Sequence, residues 1–272
     1  MASAGADKLF AGSIPTFYEK YLVPLLFEPY AADLAQRLAA SPPARVLEVA
    51  AGTGVVTRAL ASSLPPHSAI VATDLNQPML DQASALGTRR AVEWRQADAM
   101  QLPFPDESFD AVVCQFGVMF FPDKARALGE ARRVLRPGGT LLFNVWDRIA
   151  QNELADTVTS ALASAFPDDP PRFLARTPYG YFEPALIAAD LARAGFSARA
   201  EITTVPARSR ASSALDVAIA FCQGTPLRGE IEARDASRLA EATELAAEDV
   251  ARRFGRGAVD AKMQAHVVRV QR

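Results

Sequence analysis

Cysteine, histidine and net charge are all scarce in this 272-residue chain. Two cysteines, Cys114 and Cys222, are too few for a disulfide framework, and a reducing cytoplasm suits them. Lysine and arginine number 29 against 31 for aspartate and glutamate. No basic excess exists to neutralise phosphates, which speaks against duplex nucleic acid as a partner. Charges or prolines break every apolar stretch well short of the ~18 residues of a membrane span, so no span is expected. The segment Met1–Phe10 lacks a charged start followed by a long apolar run, so no signal peptide is read and a cytoplasmic location is expected. No internal repeat is found. What the chain does have is apolar bulk: half of its residues are hydrophobic, enough for one large core with appendages.

The first 14 residues read as flexible. The aromatic, apolar run from Tyr18 to Tyr30 leaves no room for a long helix before Pro24. A helix then follows, with Tyr30, Leu34 and Leu38 on one face, ending at Pro42-Pro43. From Ala44 the pattern changes. Short β-like runs at 46–50, 69–74, 92–97, 109–115 and 140–146 alternate with helical stretches at 55–63, 78–86 and 125–135. That alternation argues for βαβ units and a mainly parallel sheet. Two of the runs, at 69–72 and 111–114, are continuously apolar, as strands covered on both faces should be. Beyond Trp146 come a helix at about 152–166 and a proline-rich loop holding Tyr179 and Tyr181. A further helix, Pro184–Ala194, is closed by Gly195 with Phe196 packing back. Two last strands, 202–205 and 265–270, enclose a long helix at roughly 228–254. Its Glu248/Arg252 and Asp249/Arg253 pairs read as solvated i,i+4 contacts.

The chemistry is concentrated where the first strand ends. Val46-Leu-Glu-Val-Ala-Ala-Gly-Thr-Gly-Val-Val-Thr57 is a strand, a glycine turn and a helix start. Such a turn lets a ligand approach the backbone closely. Asp74 ends the second strand at the spacing where an acid accepts from both hydroxyls of a ribose. Asp98 ends the third strand, where a carboxylate can accept from the exocyclic amine of an adenine. The alternative for Asp98 is a turn cap, and for Asp74 a turn residue ahead of a helix capped by Asn76. A dinucleotide fingerprint wants a third glycine where Thr57 stands, and Glu48 beside the turn would repel phosphate but could help hold a cationic ligand. No Walker-type phosphate loop occurs.

These segments resemble a known family. Glu48-Val-Ala-Ala-Gly-Thr-Gly54, Asp74-Leu75, Ala97-Asp98-Ala99, Leu102–Asp110 and Val134–Thr140 look like class I S-adenosylmethionine-dependent methyltransferases. They are closest to the branch of ubiquinone/menaquinone-biosynthesis methyltransferases. The resemblance spans roughly residues 44–146. It implies an α/β, Rossmann-like, doubly wound sheet of about seven strands, mostly parallel with an antiparallel last strand. Helical appendages would lie at the N-terminus and after the fifth strand. The domains implied are an N-terminal helical lid over 1–43, a cofactor-binding core over 44–146 and, over 147–272, the remaining sheet with helical insertions forming a substrate cap.

By the same resemblance the cofactor is S-adenosyl-L-methionine. Ala50, Gly52 and Gly54 form the turn beneath its methionine part, and Glu48, two residues before the turn, counts with them among the cofactor-binding residues. Asp74 holds the ribose, Leu75 and Met79 pack on the adenine, and Asp98 and Ala99 bind the adenine edge. Gln115 contacts the region of the sulfonium, and Tyr18 resembles a lid tyrosine. The segment Cys114-Gln-Phe-Gly-Val-Met-Phe-Phe121 replaces the Asn/Asp-Pro-Pro-Tyr/Phe turn that DNA and protein amide methyltransferases share. Its apolar character suits an organic, small-molecule substrate. Tyr21, Phe27, Tyr30, Phe116, Tyr179 and Tyr181 are candidates for the substrate side, with ordinary packing as the alternative. Cys114 reads as a small buried hydrophobe rather than a nucleophile.

No catalytic base declares itself. His67 falls at the sheet's opposite edge from the site and His266 in the last strand. A methyl sulfonium needs alignment more than activation, so a base is not obligatory. The leading expectation is methyl transfer to an O, N or C atom of a small, partly apolar metabolite. A non-catalytic cofactor sensor or partner subunit, and a nicotinamide-dependent oxidoreductase, stand as alternatives. No metal is expected, and homodimerisation is left open.

Overall fold

The computed structural model describes Phe10 and residues 12–272. The flexible stretch expected over residues 1–14 falls largely outside them. Seven strands form one sheet: β1 (Arg45–Val49), β2 (Ala69–Asp74), β3 (Glu93–Gln96), β4 (Phe109–Gln115), β5 (Leu135–Trp146), β6 (Glu201–Ala211) and β7 (Val259–Gln271), in the order β3-β2-β1-β4-β5-β7-β6. The pairs β1/β2, β1/β4, β2/β3 and β4/β5 are all parallel. β7 runs the other way: Arg272 N donates to Gly139 O at one end and Asp147 N to Gln264 O at the other, so rising numbers meet falling ones. This is the doubly wound sheet with an antiparallel last strand that the sequence implies.

By its contacts the chain divides into two compact units. The first comprises Glu28–Val145, Tyr181–Val205 and Ala265–Arg272. Its helices are α2 (Glu28–Ala39), α3 (Val55–Ser63), α4 (Gln77–Leu86), α5 (Lys124–Val134) and α8 (Pro184–Arg193). Leu34 and Leu38 of α2 and Val56 and Leu60 of α3 bury against Val46, Ala111, Val113, Leu142 and Val267 of the sheet. Each buried leucine contributes roughly 1.5–3 kcal/mol relative to exposure. Tyr30 lies on the buried face of α2 with them, and its phenol satisfies itself by donating to Val205 O at 3.0 Å. α8 ends as expected: Gly195 takes φ +90°, and Phe196 N returns to Leu191 O.

The second unit holds 146–180 and 206–264 together with the described residues before Glu28. Its helices are α1 (Ile14–Phe17), α6 (Glu153–Ala165), α7 (Phe173–Arg176), α9 (Ala214–Gln223), α10 (Leu227–Asp235) and α11 (Leu239–Phe254). α11 packs on α6 and α9 through Val158, Leu162, Val217, Phe221, Ala246 and Val250, all buried.

Several sequence expectations need correction. The segment before Pro24 is helical after all: α1 leads into a π-helix, Tyr18–Phe27, that carries Pro24 and runs on into α2. A proline in an α-helix clashes with the carbonyl four residues back, and the wider π turn moves that carbonyl aside. The long helix over 228–254 is two helices. Asp235 stops α10, accepts from Ser237 N at 2.9 Å and opens a short 3-10 turn before α11. α9 was not anticipated, although Ser213 caps it by accepting from Asp216 N at 3.1 Å. The short α7 lies inside the proline-rich loop. The i,i+4 pairs are not those expected: Arg252 meets Asp249 at 2.8 Å, and Arg253 reaches Glu153 and Asp156 of α6 instead. β5 begins at Leu135 rather than Thr140. Leu135 pairs with Phe109 and Thr140 with Ala111, so the Pro137-Gly138-Gly139 excursion is a bulge inside the strand. β6 and β7 are likewise longer than read.

Candidate active site

The strand order reverses between β1 and β4, and in open α/β sheets ligands bind at the carboxyl ends of the strands at such a point. Two strained residues mark the same place. Ala50, just after β1, has φ +56°, and Phe116, just after β4, has φ +48°. Left-handed backbone costs a residue with a Cβ about 1–2 kcal/mol, and such outliers cluster at functional sites.

The loop after β1 is held from several sides. Ala51 N donates to Thr73 O and Gly54 N to Ala51 O, both at 2.9 Å. Gly52, at φ +56°, donates its N–H to Asp74 Oδ2 at 2.8 Å. Asp74 Oδ1 accepts from Asn76 N at 2.8 Å. Asp74 therefore ties the end of β2 to the glycine loop while keeping lone-pair capacity for a further donor. Burial raises its pKa, and the hydrogen bonds from Asn76 and Gly52 oppose that rise. Asn76 precedes α4 as expected but caps nothing with its side chain; its amide turns back toward Asp74.

Gly54 is a glycine for two reasons. It takes φ +84° ahead of α3, and a Cβ there would fall 2.9 Å from Trp94 Cη2 and 3.2 Å from Ala83 Cβ. Its small size serves loop geometry and packing. Glu48 lies wholly buried beneath the loop and accepts from Thr57 Oγ1 at 2.5 Å. Burial pushes its carboxyl up to about 8; the Thr57 hydroxyl opposes this, Asp74 adds to it, and Arg58 opposes it. Thr57 thus does more than replace a glycine: it anchors the one acid under the turn.

Around this centre, Met79 is buried on α4, Ala99 is buried after β3, and Gln115 is half-buried at the end of β4. Leu75 follows Asp74 with 45% of its surface exposed, an apolar side chain available to cover a flat ligand. Asp98 is exposed and accepts from Met100 N at 2.8 Å, so the turn geometry foreseen as its alternative is present. On the β4 side, Phe116 and Tyr30 are buried and meet edge to face at 5.3 Å. Tyr181 is buried, donates to Asp190 Oδ2 at 2.7 Å and lies under Lys124 Nζ at 5.0 Å; it packs α8 against the start of α5. The other aromatic candidates belong to the second unit. There Tyr18 stacks on Phe27 at 5.2 Å, Tyr21 on Phe17 at 6.1 Å, and Trp146 lies 5.6 Å from Tyr179.

His67 is exposed just before the amino end of β2, away from the strand ends that form the site. His266 is buried on β7 with Nδ1 3.0 Å from Thr204 Oγ1. Cys114 is buried, and burial pushes its thiol up to about 12, the behaviour of a packed hydrophobe. Three contributors escaped the sequence reading: Thr57, Gly117 and Asn144. Only Asn144 left a visible signal, as a lone amide inside the apolar run Leu141–Trp146. Among the described residues no group of His, Cys, Asp and Glu could hold a metal, and no helix is long and apolar enough to cross a membrane.

Comparison with known proteins is consistent with this geometry. Residues 47–143 match a family described as a methyltransferase domain. Over 187 residues the chain is 35% identical to a demethylmenaquinone methyltransferase of Thermus thermophilus, covering 64% of this chain and 82% of the relative. Over 126 residues it is 40% identical to the ubiquinone/menaquinone biosynthesis C-methyltransferase UbiE of Pseudomonas savastanoi, covering 45% of this chain and 49% of that one. Against the latter the chain thus matches about half the relative's length. Among solved structures, a phospholethanolamine N-methyltransferase of Haemonchus contortus superposes with a TM-score of 0.61 at 16% identity, over 100% of this chain and 61% of that one. That likeness concerns the fold.

Proposed function

Because the chain belongs to the class I S-adenosylmethionine-dependent methyltransferases, we propose that it transfers the cofactor's methyl group to an O, N or C atom of a small, partly apolar metabolite. The observation that carries this reading is the tethered loop at the switch point. Glu48, Gly52 and Asp74 are fixed there by short hydrogen bonds, with strained Ala50 and Phe116 on either side.

The residues fit the cofactor. Gly52 gives the loop a position without a side chain, and Asp74 would accept from ribose hydroxyls. Leu75 and Met79 would cover the adenine, with Asp98 and Ala99 at its edge and Gln115 nearer the sulfonium. Glu48, once ionised, would offset positive charge above the loop. The cofactor supplies a methyl group on a cationic sulfur. The protein's task is then to align the acceptor and exclude water.

Neither histidine lies at these strand ends, so an acceptor that brings its own nucleophilicity suits the site. An electron-rich ring carbon does so, and the quinone-biosynthesis names of the relatives support a carbon acceptor. Buried Phe116 and Tyr30 on the β4 side are consistent with an apolar one. The relatives' names speak against a purely non-catalytic binder. A nicotinamide dinucleotide is disfavoured by Thr57, which stands where its fingerprint wants a third glycine. The free, buried Cys114 and Cys222 agree with a reducing, cytoplasmic setting.

The test is incubation with methyl-labelled S-adenosylmethionine and a panel of demethylated quinols, phenols and amines, followed by mass spectrometry. Label should appear on a panel member. Cofactor binding without transfer to any member would overturn the catalytic reading.

A further inference from the structure

Asn144 lies near the carboxyl end of β5, in register with Gln115 of β4, and is wholly buried. Its Oδ1 accepts from Phe116 N at 2.8 Å, and its own carbonyl shares that N–H at 3.3 Å. The Phe116 N–H can only donate, so the amide orientation is fixed: oxygen toward Phe116, nitrogen away. Among the described residues, the buried Nδ2 has no hydrogen-bond partner. A buried amide nitrogen left so is uncommon, and a leucine of similar shape would avoid it.

Phe116, at the other end of that hydrogen bond, is held at φ +48°. Two unfavourable features one hydrogen bond apart call for a purpose. The next residue supplies it. A Cβ on Gly117 would fall 2.6 Å from Ala50 Cβ and 2.7 Å from Cys114 Sγ. The turn after β4 is therefore seated directly on the turn after β1, at Ala50, which is itself held at φ +56°.

We infer that Asn144 is a positioning residue for the cofactor loop. Its side-chain carbonyl holds Phe116 in the left-handed conformation, which seats Gly117 against Ala50 and so sets the glycine turn. Asn144 acts through this chain of contacts and not by touching the ligand. The inference rests on the reading that the loop binds S-adenosylmethionine. The unpartnered nitrogen is what the fold tolerates to place an acceptor where a leucine could offer none.

The experiment is calorimetry of the full chain with S-adenosylhomocysteine, alongside thermal unfolding, for wild type, Asn144→Leu and Asn144→Asp. Asn144→Leu keeps the volume and removes both the acceptor and the stranded N–H. Its thermal midpoint should equal or exceed that of wild type while its Kd rises by about tenfold or more. Asn144→Asp keeps an acceptor oxygen and should rescue binding to within about threefold. Equal binding by wild type and Asn144→Leu would overturn the inference. So would equal losses in both variants, or a loss in Asn144→Leu that accompanies a lower thermal midpoint, since each makes the residue ordinary packing. Failure of the wild type itself to bind would refute the cofactor reading instead, so the two are told apart.

Discussion

Replacing Glu48 by glutamine should stabilise the protein, and increasingly so as pH rises. Glu48 is buried beneath the glycine loop, and its carboxyl, ordinarily near 4.5, is pushed up to about 8 by burial. Between those values the folded protein keeps a proton that the unfolded chain has already released. The stability this group contributes is therefore complete below about pH 4.5 and is lost as pH rises toward about 8. From about pH 5 to about pH 8 the loss is about 4 kcal/mol at 1.36 kcal/mol per pH unit. Local relaxation and water entry absorb part of it, leaving about 2–4 kcal/mol. Glutamine does not titrate, and its amide oxygen can still accept from Thr57. At 2–4 °C per kcal/mol for a chain of this size, Glu48→Gln should gain roughly 5–10 °C over wild type at about pH 8 and little at about pH 5. Thermal unfolding in matched buffers reads this directly. A midpoint difference that is the same at both pH values would show that Glu48 is ionised throughout, and the reasoning would fail. The same linkage makes cofactor binding near neutrality release a proton, visible as a heat that depends on the buffer.

Gly54→Ala combines a forbidding φ of +84° with a Cβ driven to 2.9 Å from Trp94. It should cost about 1–3 kcal/mol of stability and weaken cofactor binding together, read by denaturant melts and calorimetry. Tyr181→Phe deprives buried Asp190 of a hydrogen bond while leaving its Arg193 partner. A loss of about 1–2 kcal/mol with unchanged cofactor affinity is expected; altered affinity would mean that Tyr181 belongs to the site. Burial pushes both Cys114 and Cys222 up to about 12. Neither thiol should react with a disulfide reagent at about pH 8 in the native state, and both should react once urea unfolds the chain.

Much of the sheet was legible because its signals are local and repeated. The run Ala69–Asp74 and the segment Phe109–Gln115 are strands to the residue, since a continuous apolar stretch bounded by turn residues admits few readings. The glycine turn and Asp74 were legible for a similar reason: spacing along a βαβ unit fixes where an acid arrives. The failures are tertiary. Pro24 marks a break only in an α-helix, and nothing local announces a π-helix in its place. The interruption at Asp235–Arg238 depends on a side chain turning back on its own backbone, and helical periodicity continues across it unchanged. Gly117 and Thr57 matter through partners 67 and 9 residues away that no local pattern announces, and Asn144 shows in the sequence only as a lone amide in an apolar run, with nothing to mark its partner 28 residues away. Asp98 was legible as an acid at a strand end, but its contact with Met100 N is a turn contact that spacing alone could not separate from ligand binding.

The central claim is that the loop joining Ala50, Gly52 and Asp74 holds S-adenosylmethionine, and calorimetry tests it most directly. Titration of the wild type with S-adenosylmethionine and with S-adenosylhomocysteine should give one competitive site each. Asp74→Ala, which also frees Gly52 N, should weaken both by at least about 30-fold, the loss of roughly 2 kcal/mol that a stranded donor and a missing acceptor imply. Absence of heat from the wild type at about 1 mM ligand, or equal affinity in Asp74→Ala, would contradict the account.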